Sequence, residues 1–480
     1  MRRLARAPGS FGGASSVVGR VDAALARIDT LNPKFLAFAT VDAAGARVRA
    51  AAVDAATRAG RWLGLLHGMT LAVKDNIDVA DLPGASGSRL FAGRIAPSDA
   101  PVVRRLREAG AIIVGKAAMM ELAFGVRSRD AVAGQCRNPW DPSRVPGGSS
   151  GGSAVAVALD LVDAALGTDT GGSVRIPAGF CGVTGLRPTI GLVSNRSVLP
   201  VSASLDTVGP MARRVEDVAR VLTAIAGHDP DDWTSVDRPF DPSLLRVAAD
   251  VTGLRIGVPR KFYSDDVDTE IADAVRSVAD TLARAGARLV DIELEGAAEA
   301  NQHAATIIYC DACALHANAL DAEREKISAV LYERMIKGRE RSGVDYANAL
   351  RFRETWIMRL RDMFARVDVL LYPTSPHTAP PIEESVPLED STRHATRFTY
   401  GGALAGLPGL SLPCGFTRSG LPIGALLEGP WWREADLLRL GGAWQERTDW
   451  HLRLPRANAG SVAAPPRARG DLQRARSQTT

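Results

Sequence analysis

Seven consecutive residues of this 480-residue chain, Gly147-Gly148-Ser149-Ser150-Gly151-Gly152-Ser153, are four glycines and three serines. Such a stretch has almost nothing to pack. It lets backbone come close to something and places hydroxyl and N–H groups there. A second cluster follows after one apolar run: Gly167-Thr168-Asp169-Thr170-Gly171-Gly172-Ser173-Val174-Arg175-Ile176-Pro177-Ala178. Pro177 early in a predicted helix fits a first turn, which would leave the N–H groups of Gly171, Gly172 and Ser173 free near its start. Free donors of that kind hold an anion or a developing oxyanion. The third feature is a lysine. Only six lysines occur in this arginine-rich chain (Lys34, Lys74, Lys116, Lys261, Lys326 and Lys337), and Lys74 closes the apolar run Met69 to Val73. Arginine cannot give up its proton in a protein, whereas a desolvated lysine can.

Several chemistries compete for these loops. Gly147 to Gly152 followed by Ser153 has the glycine spacing of a phosphate-binding loop but lacks its lysine. Gly147-Gly148-Ser149-Ser150-Gly151 formally fits a nucleophile elbow, with six histidines downstream. An elbow requires a preceding strand, and Asn138-Pro139-Trp140-Asp141-Pro142-Ser143-Arg144-Val145-Pro146 is not one. A bend without chemistry would account for one such cluster, hardly for two and a lysine. Cys310-Asp311-Ala312-Cys313 is a lone C-x-x-C in an alanine-rich, predicted helical stretch, and reads as helix packing. The seven histidines show no zinc-binding spacing, and the five cysteines form no disulfide framework.

Taken together, Leu71-Ala72-Val73-Lys74-Asp75-Asn76, the block Gly147 to Ser153, and Asp169 to Ala178 resemble the amidase signature family. Leu66-His67-Gly68-Met69, Asn138-Pro139-Trp140, Tyr372-Pro373-Thr374 and Leu404-Ala405-Gly406-Leu407-Pro408-Gly409 support the match, which runs from about Val21 to Pro455. The resemblance implies an amidase that cleaves a linear carboxylic amide C–N bond through an acyl-enzyme. Ser173 matches the nucleophile, Ser149 the bridging serine whose peptide bond is typically cis, and Lys74 the base. Backbone N–H groups of Thr170, Gly171, Gly172 and Ser173 would form the oxyanion hole, each worth about 3–4 kcal/mol. Asp169 and Arg175 would brace the loops, and Lys116 in Val114-Gly115-Lys116 would be structural. Burial can depress a lysine from ~10.4 toward ~7–8, which lets Lys74 accept a proton without any histidine. No metal or organic cofactor is implied.

Two alternatives stay open: a carbamate (urethane) or ester hydrolase of the same family, and the A subunit of a glutamyl-tRNA(Gln) amidotransferase. Relatives of that kind usually carry an acid, a proline and an asparagine just before Leu404, where this chain has Thr396, Gly401 and Ala403. A missing acid removes the expected partner for a glutamine α-amino group. The expected partners are therefore a small-molecule amide and water, with no nucleic acid and no membrane; a homodimer is left open. Met119, Met120, Leu122 and Phe124 are candidates for an apolar acyl pocket. Tyr309, Tyr346, Phe398, Tyr400, Trp431 and Trp432 point weakly to a bulky apolar substrate.

These residues need a frame. Strand–helix–strand units recur, as in Leu254 to Val258, Thr269 to Ala285 and Leu289 to Ile292, and Pro101 opens a helix ahead of the strand Ile112 to Val114. They predict an α/β fold with a single large mixed sheet, largely parallel, flanked by helices. Residues 21–456 form one catalytic domain between a disordered lead-in at 1–20 and a disordered tail at 457–480. Hydrophobic residues at 46% and charged residues at 23% exclude wholesale disorder. A net charge of +4 gives no reason to expect nucleic-acid or membrane-surface binding. The basic N-terminus lacks the apolar stretch of a signal peptide, so a cytoplasmic location is expected.

Overall fold

In the computed structural model the apolar runs read from the sequence are strands, and eleven of the strands share one sheet. Residues 16–239, 247, 250–383 and 386–458 are described. The strands are β1 (Phe38–Val41), β2 (Thr70–Lys74), β3 (Ile112–Ala117), β4 (Arg129–Asp130), β5 (Gly134–Gln135), β6 (Ala164–Asp169), β7 (Thr184–Arg187), β8 (Thr207–Ala212), β9 (Arg255–Pro259), β10 (Arg288–Ile292), β11 (Val369–Pro373), β12 (Gly409–Phe416) and β13 (Pro422–Glu428). The large sheet runs β1-β3-β2-β6-β8-β7-β12-β13-β11-β9-β10, and β4 pairs with β5 apart from it.

The sheet is mixed rather than largely parallel. β2 is parallel to β3 and β6, and β9 to β10 and β11, but the stretch from β6 through β8, β7, β12 and β13 to β11 is antiparallel throughout. The reason is local. β6 and β7 are joined by the helix Arg175–Cys181 as a strand–helix–strand unit, yet β8 arrives later in the chain and inserts between them. Strand spacing in sequence does not report such an insertion.

Helices cover both faces, and strand alternation divides the core between them. Leu71 and Val73 pack with the helices Pro101–Glu108, Val215–Ile225, Thr269–Arg284 and Glu434–Arg447. Ala72 packs on the other side with Val17–Phe35, Ala43–Arg58 and Gly151–Ala158. A third cluster packs the helices Ala297–Leu315 and Gly343–Phe364 against Leu370 and Tyr372 of β11 and Leu426 of β13. Val17 to Arg20, expected as lead-in, are helical: the Asp54 carboxylate accepts the N–H groups of Val17 and Val18 at 2.8 and 3.0 Å, which fixes that helix start. The rest of the lead-in before Ser16 and the tail beyond Asn458 lie outside the described residues. Among the described residues no helix is long and apolar enough to cross a membrane.

Candidate active site

Lys74 is the last residue of β2, and Thr168 lies at the same end of its parallel neighbour β6. Register therefore brings them together. Lys74 Nζ lies 2.6 Å from Thr168 Oγ1 and 2.7 Å from Ser149 Oγ, and all three side chains are buried. Burial pushes the Lys74 ammonium down to about 7, with the negative charges of Asp206 and Asp169 pulling the other way. Asn76 Nδ2 also donates to Thr168 Oγ1, at 3.3 Å, so the threonine is fixed from two sides. Lys116 is in register with Val73 on β3, and alternation sends it to the face opposite Lys74. There it ion-pairs with Asp75 at 3.3 Å and donates to the carbonyls of Asp75 and Pro83.

The glycine–serine block ends inside a helix: Gly151–Ala158 starts three residues earlier than the small-residue run Ala154 to Leu159 suggests. Gly152 sets how closely that helix packs. A Cβ there would meet the Ala118 carbonyl oxygen at 2.3 Å and that of Ala37 at 2.5 Å, so only glycine lets the helix sit against β3 and β1. Ser128 holds the loop ahead of the helix; its hydroxyl donates to the Gly147 carbonyl at 2.7 Å and accepts from Gly151 N–H at 3.1 Å. The Gly148–Ser149 bond is cis.

The second loop, from Asp169 to Arg175, is fastened to the first by Ser150, whose N–H donates to the Ser173 carbonyl and whose hydroxyl donates to the Thr168 carbonyl. Asp169 sits at its centre. Its carboxylate accepts from the N–H groups of Gly172 (2.7 Å) and Val174 (3.1 Å) and pairs with Arg175 and Arg187, each at 3.0 Å. Burial alone would raise this carboxyl, but the two guanidinium groups hold it well below the ordinary range. Arg175 also pairs with Glu428 at 2.8 Å, and burial pushes that glutamate up to about 7. Gly172 N–H, expected among the free donors, is thus committed to Asp169. Thr170, Gly171 and Ser173 N–H have no protein acceptor among the described residues. From Ala164 to Thr189 every residue is buried except Ser173.

Ser173 opens onto a cavity lined by Phe124, Thr170, Ile308, Arg334, Thr396 and Tyr400, among others. Of the four residues considered for an apolar wall only Phe124 lines it; Met119, Met120 and Leu122 face the core. Tyr400 also lines it, and Tyr309 stands behind it. Among the described residues the wall carries one charged side chain, Arg334, and no carboxylate. Arg334 donates to the Phe124 carbonyl at 2.6 Å and to the Tyr309 hydroxyl at 2.9 Å, and stacks over Phe124. Thr396 stands in the same wall, its hydroxyl proton given to the Thr392 carbonyl at 2.8 Å. Thr399 reaches across to the Gly171 carbonyl at 2.5 Å. Arg334, Thr399, Ser128 and Asp206 were not legible as site residues, because none belongs to a local pattern of unusual composition.

A buried lysine hydrogen-bonded to a loop serine thus stands beside a second loop whose serine opens onto a cavity. Residues 20–438 match the Amidase family, and the chain belongs to that family. It is 42% identical over 448 residues to the A subunit of the glutamyl-tRNA(Gln) amidotransferase from Anaeromyxobacter sp. (strain K), covering 88% of this chain and 91% of that one. Its fold resembles a chain from a vestigial protein complex that reveals the origins of an s-triazine catabolic enzyme (TM-score 0.86, 31% identity, 90% of this chain and 95% of that one). It also resembles peptide amidase from Stenotrophomonas maltophilia (TM-score 0.80, 32% identity, 90% and 94%).

The relatives correct one expectation. A chain acting by itself on a small-molecule amide, with no nucleic acid involved, does not fit relatives named as subunits of a tRNA amidotransferase. The physical reason is that the motifs around Lys74, Ser149 and Ser173 are local, and a free enzyme and one member of an assembly can carry the same local motifs. A near-neutral net charge likewise says nothing about a nucleic acid handled by an assembly.

Proposed function

We propose that this chain is an amide-cleaving catalytic subunit working through a Ser173 acyl-enzyme. Ser149 passes the Ser173 proton to neutral Lys74 as the serine oxygen attacks the carbonyl carbon. The same path returns it to the leaving nitrogen as the C–N bond breaks. N–H groups of Thr170, Gly171 and Ser173 receive the developing oxyanion. The observation that carries this reading is Lys74 Nζ, buried and held near neutrality, 2.7 Å from Ser149 Oγ. The names of the curated relatives favour glutamine as the amide and a glutamyl-tRNA(Gln) amidotransferase as the assembly. Arg334 would then take the α-carboxylate in a charge-assisted pair.

The wall around Thr396 supports a second reading. Among the described residues a glutamine ammonium there would meet hydroxyls and no carboxylate. A threonine oxygen can accept a hydrogen bond but supplies no charge, so an amide with a distal carboxylate and no α-amino group fits better.

Ammonia release from glutamine and from 4-carbamoylbutanoate, which is glutamine without its amino group, separates the two. The assay is run with and without the other amidotransferase subunits. Preference for glutamine, raised by those subunits, supports the first reading; preference for 4-carbamoylbutanoate supports the second. A fluorophosphonate adduct on Ser149 instead of Ser173 would overturn both.

A further inference from the structure

Asp206 immediately precedes β8, and Thr207 pairs with Asp169 at the end of β6. That register lays the Asp206 carboxylate beside Thr170, where the second loop begins. The Thr170 hydroxyl donates to Oδ1 at 2.5 Å, and Oδ2 accepts from the N–H groups of Val201 (2.7 Å) and Ser202 (3.1 Å). Both side chains are buried. Burial pushes the Asp206 pKa up, and the three donors that converge on the carboxylate, with Arg187 nearby, work against that in favour of the ionised form. Thr170 and Val201 both line the cavity in front of Ser173, so one carboxylate ties together two of its walls. Beyond it, the Ser202 hydroxyl donates to Asp311 at 2.5 Å and Tyr346 donates to the same aspartate at 2.8 Å, which extends the tie to two helices.

The charges around Lys74 make Asp206 stand apart. Asp75 is committed to Lys116, and Asp169 is flanked by Arg175 and Arg187. Asp206 makes no ion pair among the described residues; Arg187 approaches it but bonds to Asp169 and to the Leu205 carbonyl. Of the two carboxylates that pull the Lys74 pKa upward, Asp206 is the stronger.

We propose that Asp206 is a positioning residue for the acyl-transfer step: it anchors Thr170, so that the N–H groups of that loop face the cavity, and it keeps a negative charge near Lys74. The proposal rests on the Ser173 acyl-enzyme reading. Without the anchor the Thr170 hydroxyl loses its partner, and the loop start is free to rotate its donors away. Without the charge, Lys74 becomes neutral at lower pH, so the acid limb of the rate profile moves down.

The test compares Thr170→Val, Thr170→Ser and Asp206→Asn with wild type for ammonia release, with Ser173→Ala as control. Thr170→Val should lower kcat ten- to a hundredfold with KM within about twofold. Thr170→Ser should restore it, and neither should move the acid limb. Asp206→Asn should lower kcat similarly and move the acid limb down by about one pH unit. Wild-type kcat in Thr170→Val, or an unmoved acid limb in a folded Asp206→Asn, overturns the proposal. Should Asp206→Asn fail to fold, the Thr170→Val and Thr170→Ser pair decides alone. If Ser173→Ala itself turns over, the acyl-enzyme reading fails; if it is dead while the Thr170 and Asp206 variants match wild type, only this proposal fails.

Discussion

Around Lys74, Ser149 and Asp169 most side-chain polar atoms are partnered by neighbouring strands and loops, Asn76 Oδ1 and Arg187 Nε excepted, whereas much of the wall facing Ser173 is assembled from helices far apart in the chain. The first region draws on residues 74 to 187 almost entirely, fully buried and cross-linked by short hydrogen bonds and ion pairs. The second takes Ile308 from one helix, Arg334 from another, and Thr392 and Tyr400 from two more. A change in the first region disturbs partners that cannot find replacements. A change in the wall alters what fits while leaving the machinery in place.

The largest effect expected is from Ser173→Ala, which should lower amide turnover on the order of 10⁴- to 10⁶-fold. The melting temperature should stay close to wild type, because the partly exposed Ser173 side chain has no hydrogen-bond partner to lose. Turnover and thermal melts on the same preparation check both halves. Lys74→Arg keeps the charge but cannot accept a proton, and should cost about 10²- to 10⁴-fold. In the wild type kcat/KM should rise through a pKa of about 7 and level off above it, since the base acts only when neutral and burial has lowered its pKa to that value. A flat profile from pH 5 to 9, measured at saturating buffer capacity, would remove Lys74 from that role.

Asp169→Asn sharpens the contrast from the side of stability. Arg175 and Arg187 would be left without their shared carboxylate, so urea denaturation should show a loss of about 3–5 kcal/mol. The sign with pH follows from the same pairing. The Asp169 pKa is depressed in the fold, so its contribution is present above the ordinary carboxylate range and fades as pH falls through the folded value. Arg334→Gln is the counterpart in the wall. It should lower kcat/KM about a hundredfold for a carboxylate-bearing amide and leave a neutral amide such as propionamide nearly unchanged. Equal losses on both substrates would mean that Arg334 serves only to hold Phe124 and Tyr309.

The type of site was legible in the sequence because its parts are local. Lys74 ends an apolar strand, and Ser149 and Ser173 lie in loops whose glycine content has no packing explanation. Free N–H groups were expected for Gly171, Gly172 and Ser173 from the helix start; among the described residues those of Gly171 and Ser173 have no protein acceptor, while that of Gly172 donates to Asp169. Asp169, three residues before Gly172, is close enough to take the Gly172 donor, but only the turn of the loop aims its carboxylate there. The strand runs and the enclosing α/β sheet were readable for the same reason, since alternation and turn residues are properties of neighbours.

Strand order and the pocket were decided by the tertiary structure. Nothing in the segment 164–187 says that β8 will insert between β6 and β7, yet that insertion puts Asp206 beside Thr170. Arg334 is one arginine among many until the helix Ala329–Met335 packs its guanidinium behind Phe124. Sequence by itself thus determined the candidate residues and the elements that end at them, because those depend on separations of a few residues. The charge and shape of the wall facing Ser173 depend on contacts between segments hundreds of residues apart. Such contacts are fixed by the free energy of the packed whole, and no local pattern records them.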